Sequence, residues 1–344
     1  MKVLCTLIVV FAVGTAHGGQ MIKLKARPFA ASEVRLLEGP FLKAQELGRK
    51  YLRDIEPDRL LAPFDEAAGV KAKKPRYGGW ESTQISGHIL GHWLSAASLM
   101  AAASGDEELK KRVGYVVGRL AKLQAGNPRG YVGGFSETPF QKVFSGDFEV
   151  ENFSLAGHWV PWYTMHKLFA GLLDASHAAG CEEALEVLRK LAAWAKLGTD
   201  KLSDEPFQKM LICEHGGMSE SLAELYAISG DKSHLDLARR FTHHLIMDPL
   251  SKAKDELAGR HANTQIPKVV GAARMHELTA EPYYHDAASF FWKQVGGKRS
   301  YAFGGNSIGE HFSPLGQEPL GPNTAETCNT YNMLRLTKQL MGWQ

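Results

Sequence analysis

The sequence has little of what marks several common classes of protein. Its 344 residues carry a formal net charge of only +3 and no long basic run, so charge gives no reason to expect binding to nucleic acid or to an anionic membrane surface. The glycine-rich segment GGNSIG, from Gly304, lacks the spacing of a phosphate-binding loop and is followed by Glu-His rather than Lys-Ser. These absences argue against a nucleic-acid-binding protein and against a nucleotide site.

Cysteine is also scarce, and its number argues against a disulfide framework. Of the four cysteines, Cys5 falls in an apolar stretch, residues 3–13, which follows Lys2 and precedes several small residues. This pattern predicts a secretory signal peptide over residues 1–18, because the run is too short for a membrane anchor. The mature protein would be secreted or periplasmic, without a membrane segment, and would keep an odd number of cysteines.

The rest of the sequence repeats a pair of amphipathic helices joined by a short turn. Four pairs show apolar residues at helical spacing: residues 85–103 with 107–124, 162–179 with 182–197, 222–229 with 234–246, and 267–279 with 283–295. The last three turns, at Gly180, Gly230 and Ala280, are 50 residues apart. Such a period predicts stacked helical hairpins, arranged as an open solenoid or a closed ring.

The two helices of each pair differ in a way that favours a ring. The first helix opens on a motif of glycine, histidine and aromatic residues, whereas the second is plainly amphipathic. The four motifs are GHILGHW, GHWVPWYTMHK, EHGGMSE and HANTQIPK. A ring would bring them to one rim, so we expect an all-α, (α/α)6 toroid over residues 28–344 whose inner helices display the motifs.

The helices predicted up to the C-terminal end of the sequence are too few to close this ring. A lone helix, residues 41–55, precedes the first pair, and a last inner helix begins near Glu326 and runs to a turn at Gly342. Its outer partner is missing, so the expected ten helices are two fewer than six hairpins require. We therefore expect a toroid that is incomplete at its C-terminus.

The segment before the last inner helix concentrates chemically active side chains. It places Glu310, Glu326 and Cys328 in a glycine-rich loop that leads into the helix, with Asn323 or Thr324 as its N-cap. A position at a helix N-terminus favours the thiolate form of cysteine. A thiolate beside a carboxylate supplies half of a tetrahedral zinc shell.

Three histidines recur at nearly the period of the repeat. His166, His215 and His261 are separated by 49 and 46 residues, which predicts that they stand on one rim of successive inner helices. With Glu214, Glu220, Glu310 and Glu326 they would form a polar pocket for a hydroxyl-rich ligand. The alternative is that each histidine braces its own turn.

Two further groups of residues allow two interpretations each. His88 and His92 lie four residues apart on one helical face, a geometry found both in metal sites and among core histidines. Trp159, Trp162 and Tyr163 suit either a packed core or a platform on which a sugar stacks.

Six segments together resemble the glycoside hydrolases of family 127, the non-reducing-end β-L-arabinofuranosidases. They are GHILGHWLSAAS, PWYTMHKLFAGLLDA, EHGGMSESLAELYAISGD, HANTQIPKVVGAAR, GGNSIGEHF and AETCNTYNMLRLT. The resemblance implies a toroidal catalytic domain that acts on arabinofuranosyl glycans and binds Zn²⁺.

The resemblance also implies a role for individual residues. Glu310 would be the general acid/base, and Glu326 and Cys328 would be zinc ligands. The residues that would hold the sugar hydroxyls are His166, His215 and His261.

One feature of the family is missing. Its nucleophile is a cysteine of an adjacent Cys-Cys pair that completes the zinc shell, which makes such enzymes retaining through a thioglycosyl intermediate. The 344 residues contain no such pair. We therefore expect an inactive fragment of a glycosidase that removes terminal arabinofuranosyl groups from plant glycans or glycoproteins. The alternatives are a non-catalytic carbohydrate-binding toroid and a metal-free toroid sugar epimerase or lyase.

Overall fold

The structure, a computed structural model, describes residues 21–343, so the predicted signal peptide, residues 1–18, lies outside the described range. The described residues form fourteen α-helices and one small sheet. The helices are α1 (Pro40–Asp54), α2 (Pro57–Ala67), α3 (His88–Ser104), α4 (Glu107–Ala125), α5 (Thr138–Ser145), α6 (Pro161–His177), α7 (Glu182–Thr199), α8 (Asp204–Met210), α9 (Met218–Ser229), α10 (Lys232–Arg240), α11 (His244–Ser251), α12 (Ala262–Thr279), α13 (Pro282–Lys298) and α14 (Thr327–Met341). The sheet is an antiparallel meander of β1 (Val150–Glu151), β2 (Ser154–Leu155) and β3 (His158–Trp159).

The helical hairpins predicted from the repeat are present as α3–α4, α6–α7, α9–α10 and α12–α13. The turn of each hairpin contains one residue with a left-handed backbone conformation. These residues are Gly105, Gly180, Gly230 and Ala280, with φ of 72°, 69°, 70° and 57°. Glycine adopts this conformation without a steric penalty. In the first hairpin the following residue, Asp106, then caps α4 by accepting two backbone N–H bonds.

The first helices of the hairpins pack against one another in chain order. Helix α3 contacts α6, α6 contacts α9, α9 contacts α12, and α12 contacts α14. The second helices lie outside this row, where α4 contacts α7 and α11 contacts α13. The fold is therefore an all-α toroid of helical hairpins, and its core includes Trp93, Trp162 and Phe291. None of the helices within residues 21–343 is long and apolar enough to cross a membrane.

The contact between α3 and α6 depends on glycine. A Cβ atom on Gly91 would lie 2.2 Å from the backbone oxygen of Lys167, and one on Gly171 would lie 2.5 Å from the oxygen of Gly91. The two helix backbones therefore touch directly. This contact places the motifs that open α3 and α6 side by side.

Parts of the predicted layout were wrong or incomplete. Helices α2, α5 and α8 were not predicted, and the outer helix expected over residues 234–246 is broken into α10 and α11 at residues 241–243. Helix α12 begins at Ala262, so Pro267 lies inside it instead of starting it. These differences affect connections and outer helices, and they leave the order of the inner helices unchanged.

The first and last helices both present apolar side chains to solvent. The exposed apolar residues of α1 and α14 are Phe41, Leu47, Tyr51, Tyr331, Leu334 and Met341. Before α1, the chain runs in an extended segment whose Met21 and Lys25 donate backbone hydrogen bonds to the carbonyl oxygens of Glu277 and Gly342, at 2.9 and 2.8 Å. The start of the described chain is thereby joined to the C-terminal ends of α12 and α14.

Candidate active site

The loop that carries Glu310 is fixed between α12 and the segment before α14. On one side, the Ala262 N–H donates to the carbonyl oxygen of Glu310 at 2.7 Å. On the other, the Ala325 N–H donates to the carbonyl oxygen of Ser307 at 2.9 Å, and Asn329 Nδ2 donates to Ser307 Oγ at 2.7 Å. The loop is therefore attached to the N-terminal ends of both α12 and α14.

Glycine is required where this loop meets the segment before α14. A Cβ atom on Gly305, whose φ is 84°, would lie 2.3 Å from the Cβ of Ala325. Any larger residue would push the two strands of chain apart. The predicted glycine-rich loop is thus explained by close packing against the Glu326 segment.

Glu310 lies beside His261 at the rim. Its side chain is 63% exposed, and its Oε2 is 3.4 Å from Nε2 of His261. Nδ1 of His261 accepts a hydrogen bond from the backbone N–H of Thr264 at 3.2 Å. Because Nδ1 is an acceptor, a neutral His261 carries its proton on Nε2, facing Glu310. His261 can therefore donate to the Glu310 carboxylate.

Glu326 and Cys328 meet at the start of α14. Glu326 is the N-cap residue, with extended backbone at φ −133°, and its carboxylate lies close enough to the Cys328 thiol to raise the pKa of that thiol. The prediction that Asn323 or Thr324 caps the helix was wrong. The hydroxyl of Thr324 instead accepts the N–H of Gly321 at 2.7 Å. A non-helical residue at the cap is what allows side chains two positions apart to meet.

The thiol of Cys328 is not acidified in this arrangement. Partial burial, followed by the neighbouring Glu326 carboxylate, raises the pKa of Cys328 to about 11. The expectation that the helix N-terminus favours the thiolate was therefore wrong, because burial and the adjacent carboxylate outweigh the helix dipole. A cation bound to both side chains would instead lower the pKa of Cys328 and favour the thiolate.

The same pair fits part of a metal site. Oε2 of Glu326 is buried and has no hydrogen-bond partner, whereas the Cys328 side chain is exposed beside it. Over residues 21–343, no group of three or more His, Cys, Asp and Glu side chains is placed to hold a metal. A tetrahedral zinc ion would need further donors besides these two.

A partly buried lysine of α6 and a buried glutamate before α9 act on the same region. Burial raises the pKa of Glu214 and lowers that of Lys167 to about 8, and Lys167 Nζ lies 4.4 Å from the ring centroid of Tyr163. Burial, then the charges of Glu214, Cys328 and Glu326, raise the pKa of Tyr163. Lys167 directly follows a histidine in an inner-helix motif, and nothing in the sequence pattern distinguishes it from an exposed lysine.

The three histidines of the repeat occupy different depths. His261 faces the rim, whereas His166 and His215 are buried. Gly216 and Gly217 cover the His166 ring so closely that a Cβ on Gly216 would lie 2.4 Å from its Nδ1. Burial lowers the pKa of His166 and lowers that of His215 to about 3. Both rings keep one buried nitrogen without a hydrogen-bond partner, His166 Nδ1 and His215 Nε2.

The alternative role for these histidines, bracing their own turns, also describes part of the structure. His261 caps α12 through Thr264, and Nδ1 of His215 lies 3.0 Å from the carbonyl oxygen of Cys213. His261 and His215 therefore each have one nitrogen engaged locally and the other free to act in the site. Local bracing and a role in the site are compatible.

Lys268 of α12 is a buried lysine. Nζ of Lys268 is 3.0 Å from His243 Nδ1 and 3.1 Å from Gln265 Oε1. Burial lowers the pKa of Lys268 to about 7, and Glu214 acts in the opposite direction. The sequence alone did not indicate that Lys268 is buried, because long charged side chains are usually exposed.

Glu220 serves a different purpose from the other predicted pocket residues. It is buried on α9 and pairs with Arg335 of α14. Burial is the main reason that its pKa is raised, and Arg335 acts against the rise. Glu220 thus joins two inner helices instead of lining the rim.

The ambiguous aromatic residues separate into two groups. Trp162 is fully buried in the core, where its Nε1 contacts Met210 Sδ at 3.0 Å. Trp159 is only half-buried at the rim and packs on Trp80, with ring centroids 5.3 Å apart. Tyr163 is half-buried, and the charges of Glu326 and Cys328 reach it, since they add to the effect of burial in raising its pKa.

His88 has a structural partner. Its Nδ1 lies 3.0 Å from Oε1 of the buried Glu81 and 2.7 Å from the carbonyl oxygen of Ile85. The ring of His92 is 6.1 Å from that of His88 and perpendicular to it. Among the described residues this pair has no third metal donor.

The chain matches a known catalytic domain along nearly its whole length. The model of the family described as "Beta-L-arabinofuranosidase, GH127 catalytic domain" matches residues 33–344. A curated relative, the non-reducing end β-L-arabinofuranosidase of Bifidobacterium longum subsp. longum, is 24% identical over 285 residues, which cover 72% of this chain and 42% of the relative.

Solved structures share the fold. The crystal structure of a family 127 β-L-arabinofuranosidase from Geobacillus stearothermophilus T6 superposes with a TM-score of 0.64 at 17% identity, covering 89% of this chain and 52% of that one. A second family 127 β-arabinofuranosidase gives 0.65 at 18% identity, covering 91% and 51%. The chain thus spans about half the length of the relatives it matches.

Proposed function

Since the chain belongs to the β-L-arabinofuranosidase family, glycoside hydrolase family 127, we propose that it forms the catalytic toroid of a glycosidase. Its substrates would be terminal β-L-arabinofuranosyl groups of plant glycans or glycoproteins. The observation that supports this most is the position of Glu310, an exposed carboxyl 3.4 Å from a histidine nitrogen, on a loop tied to the Glu326–Cys328 segment.

Glu310 would act as the general acid/base. In its protonated form it gives its proton to the glycosidic oxygen as the bond to the anomeric carbon breaks, so the leaving group departs as an alcohol. The resulting carboxylate can accept a hydrogen bond from Nε2 of His261 and can later take a proton from water. His261 would act here by positioning and stabilising the Glu310 carboxylate.

Glu326 and Cys328 would hold zinc. The buried, unpartnered Oε2 of Glu326 beside a thiol supplies a donor set that zinc accepts. When bound, zinc would favour the thiolate form of cysteine ligands and accept developing negative charge. The partly buried Lys167 and the buried Glu214 would set the charge around these ligands.

The nucleophile that family resemblance implies is not among the 344 residues, which contain no adjacent cysteine pair. We therefore expect this chain to bind arabinofuranosides without hydrolysing them. Catalysis would require the additional length that the relatives have. His166 and His215, each with a buried nitrogen lacking a partner, would complete the sugar-binding side of the site together with His261.

The deciding experiment uses the full-length product of the coding gene and an aryl β-L-arabinofuranoside. Replacing Glu310 with Gln should lower kcat by roughly 10²- to 10⁴-fold, the usual contribution of a general acid/base. Exposed Glu318, on the same connection, provides a matched control, since Glu318→Gln makes the same charge change away from His261 and should leave kcat unchanged. Equal activities of wild type and Glu310→Gln would refute the assigned role.

A carbohydrate-binding toroid without catalysis is the second candidate, favoured by the absent cysteine pair. It predicts saccharide binding with no hydrolysis by the full-length gene product. Hydrolysis by the 344-residue chain itself, lost in Glu310→Gln, would contradict both the proposed need for a Cys-Cys nucleophile and this second candidate.

A further inference from the structure

The hydroxyl of Thr264 is a contact of the site that the proposed chemistry does not use. Thr264 lies in the first turn of α12 and is 5% exposed. Its Oγ1 is 2.8 Å from Nδ1 of His261, closer than its own backbone nitrogen, which is 3.2 Å from the same atom. Both groups of Thr264 therefore meet the ring nitrogen of His261 that is not beside Glu310.

Packing fixes the plane of the His261 ring. The rings of Phe153 and His311 both stand nearly perpendicular to it, at 79° and 88°, with centroids 5.2 and 5.5 Å away. A half-turn of the imidazole about its bond to Cβ would keep the same shape, because it only exchanges Nδ1 with Cδ2 and Nε2 with Cε1. These ring contacts therefore do not decide which way round the imidazole lies.

Hydrogen bonds decide the orientation of the ring. As the ring lies, Nδ1 faces Thr264 and Nε2 is 3.4 Å from Oε2 of Glu310. A half-turn would place Cε1 beside Glu310 and Cδ2 beside the Thr264 hydroxyl. Glu310 would lose its N–H donor, and both groups of Thr264 would face a C–H group. The hydroxyl supplies the shorter of the two contacts at Nδ1, so it contributes strongly to the observed orientation.

The hydroxyl also serves both charge states of His261. It can donate to Nδ1 of a neutral ring and accept from the Nδ1–H of an imidazolium, whereas a backbone N–H can only donate. In the second case the hydroxyl proton is free to turn toward the buried Glu214. Burial raises the pKa of Glu214, and nearby groups, His261 and Thr264 among them, act to lower it. The hydroxyl can therefore hold the ring whether or not His261 carries a charge.

The backbone of His261 is held by other contacts. Its carbonyl oxygen accepts a hydrogen bond from Nε2 of Gln265 at 3.2 Å, and the residue pairs with His311 in an antiparallel bridge. The next N–H along the chain, that of Ala262, donates to the carbonyl oxygen of Glu310 at 2.7 Å. Loss of the Thr264 hydroxyl should therefore affect the ring of His261 without moving the start of α12.

We propose that Thr264 is a positioning residue, which keeps the Nε2–H group of His261 directed at Glu310. The inference deepens the proposed function and rests on it. When Glu310 gives its proton to the leaving group, the carboxylate that forms then has a hydrogen-bond donor already in place. Without that donor the carboxylate is less stable, so the loss falls on the step in which the proton is given up.

The test compares two substrates of the full-length gene product that differ in their need for an acid. A 2,4-dinitrophenolate ion leaves without a proton, whereas methoxide needs one. The probes are therefore 2,4-dinitrophenyl and methyl β-L-arabinofuranoside. The quantity measured is kcat/KM, because it compares the transition state of bond cleavage with free enzyme and substrate.

Thr264→Val keeps the shape of the side chain and the backbone N–H but removes the hydroxyl. We expect its kcat/KM for the methyl glycoside to fall about three- to ten-fold, the usual effect of one hydrogen bond, with no change for the dinitrophenyl glycoside. Thr264→Ser, which keeps the hydroxyl, should retain the wild-type value for both.

Thr199 of α7 provides the matched control. It is fully buried, and its hydroxyl bonds only within its own helix, to the carbonyl oxygen of Ala195 at 2.8 Å and that of Lys196 at 3.4 Å. Thr199→Val should therefore leave kcat/KM unchanged for both substrates. If Thr264→Val loses its cooperative thermal transition, Thr264→Ala replaces it, with the same difference between the two substrates expected.

Two results with Thr264→Val would overturn the inference. One is a fall of equal size with both substrates, because a sugar-binding or purely structural role does not depend on the leaving group, and the other is no fall with either. Glu310→Gln in the same assay tests the proposed function separately, since it should lose far more activity on the methyl glycoside than on the dinitrophenyl glycoside. Equal losses in Glu310→Gln, or none, would refute the role of Glu310 and the inference with it.

Discussion

Two residues at the site have backbone conformations that side-chain-bearing residues seldom adopt. Glu310 and Ala325 lie in the left-handed region, with φ of 67° and 69°, at a cost of roughly 1–2 kcal/mol each relative to an ordinary conformation. Backbone hydrogen bonds from Ala262 and to Ser307 hold them there. The direction in which Glu310 points is therefore set by the loop backbone, and a change in Gly305, which packs on Ala325, would reach the site indirectly.

Lys268 makes the stability of the protein depend on pH. Its pKa is about 7 in the folded protein, against an ordinary 10.5, so between these values the unfolded chain binds more protons than the folded one. Stability must then rise with pH across this window. We expect wild type to gain stability relative to Lys268→Met from pH 7 to pH 10, measured by denaturant unfolding at each pH.

The exposed Lys122 on α4 provides the control for this measurement. Lys122→Met removes the same charge without a buried amine, so its effect on the free energy of unfolding should not change over the same range. A constant difference between wild type and Lys268→Met would show that Lys268 is not buried as an amine. Groups whose pKa does not depend on Lys268, such as Lys167, cancel in the comparison.

At the scale of elements, the α3–α6 contact should be the most sensitive to an added methyl group. Gly91→Ala would place a Cβ 2.2 Å from the backbone oxygen of Lys167, which forces the helices apart at a cost of roughly 1–3 kcal/mol. Gly114 of α4 has no atom within 4 Å of such a Cβ. Gly114→Ala should therefore stabilise the protein by roughly 0.5–1 kcal/mol.

Thermal unfolding of both variants checks this pair of expectations. A lower Tm for Gly91→Ala with a higher Tm for Gly114→Ala is the expected result. If both substitutions raised the Tm, the close approach of α3 and α6 would be refuted, because helix propensity would then be the only effect at Gly91.

Elements with strong local signals could be predicted from the sequence. The hairpins have a left-handed turn residue such as Gly105 followed by a cap such as Asp106, and both signals are local. Helices α5 and α8 are too short for periodicity to show, and α2 contains Pro63. The break between α10 and α11 has no glycine or proline to mark it, so tertiary packing decides it.

At the scale of the molecule, the exposed apolar sides of α1 and α14 should cause self-association. Leu334 of α14 is 64% exposed, and Leu334→Lys should weaken association in sedimentation velocity experiments. Leu197 of α7 is equally exposed, at 64%, which makes Leu197→Lys a matched control with no expected effect. A wild-type protein that stays monomeric at all concentrations would contradict this prediction.

The site could be predicted in part. Glu310, Glu326 and Cys328 stand out because carboxylates and a thiol cluster in one short loop. The proximity of Glu310 to His261 joins residues 49 positions apart and depends on backbone pairing that sequence spacing does not encode. The partial burial of Lys167 was not evident either, because whether a long cationic side chain reaches solvent depends on neighbours from other helices.

The extended segment before α1 can reach its final position only late in the synthesis of the chain. Met21 and Lys25 form backbone hydrogen bonds with Glu277 and Gly342, residues that lie about 250 to 320 positions later in the chain. At roughly 5–20 residues per second, the segment waits on the order of a minute or less without its partners. Throughout that interval it stays accessible to chaperones and proteases, and its docking requires that α12 and α14 have been synthesised and folded.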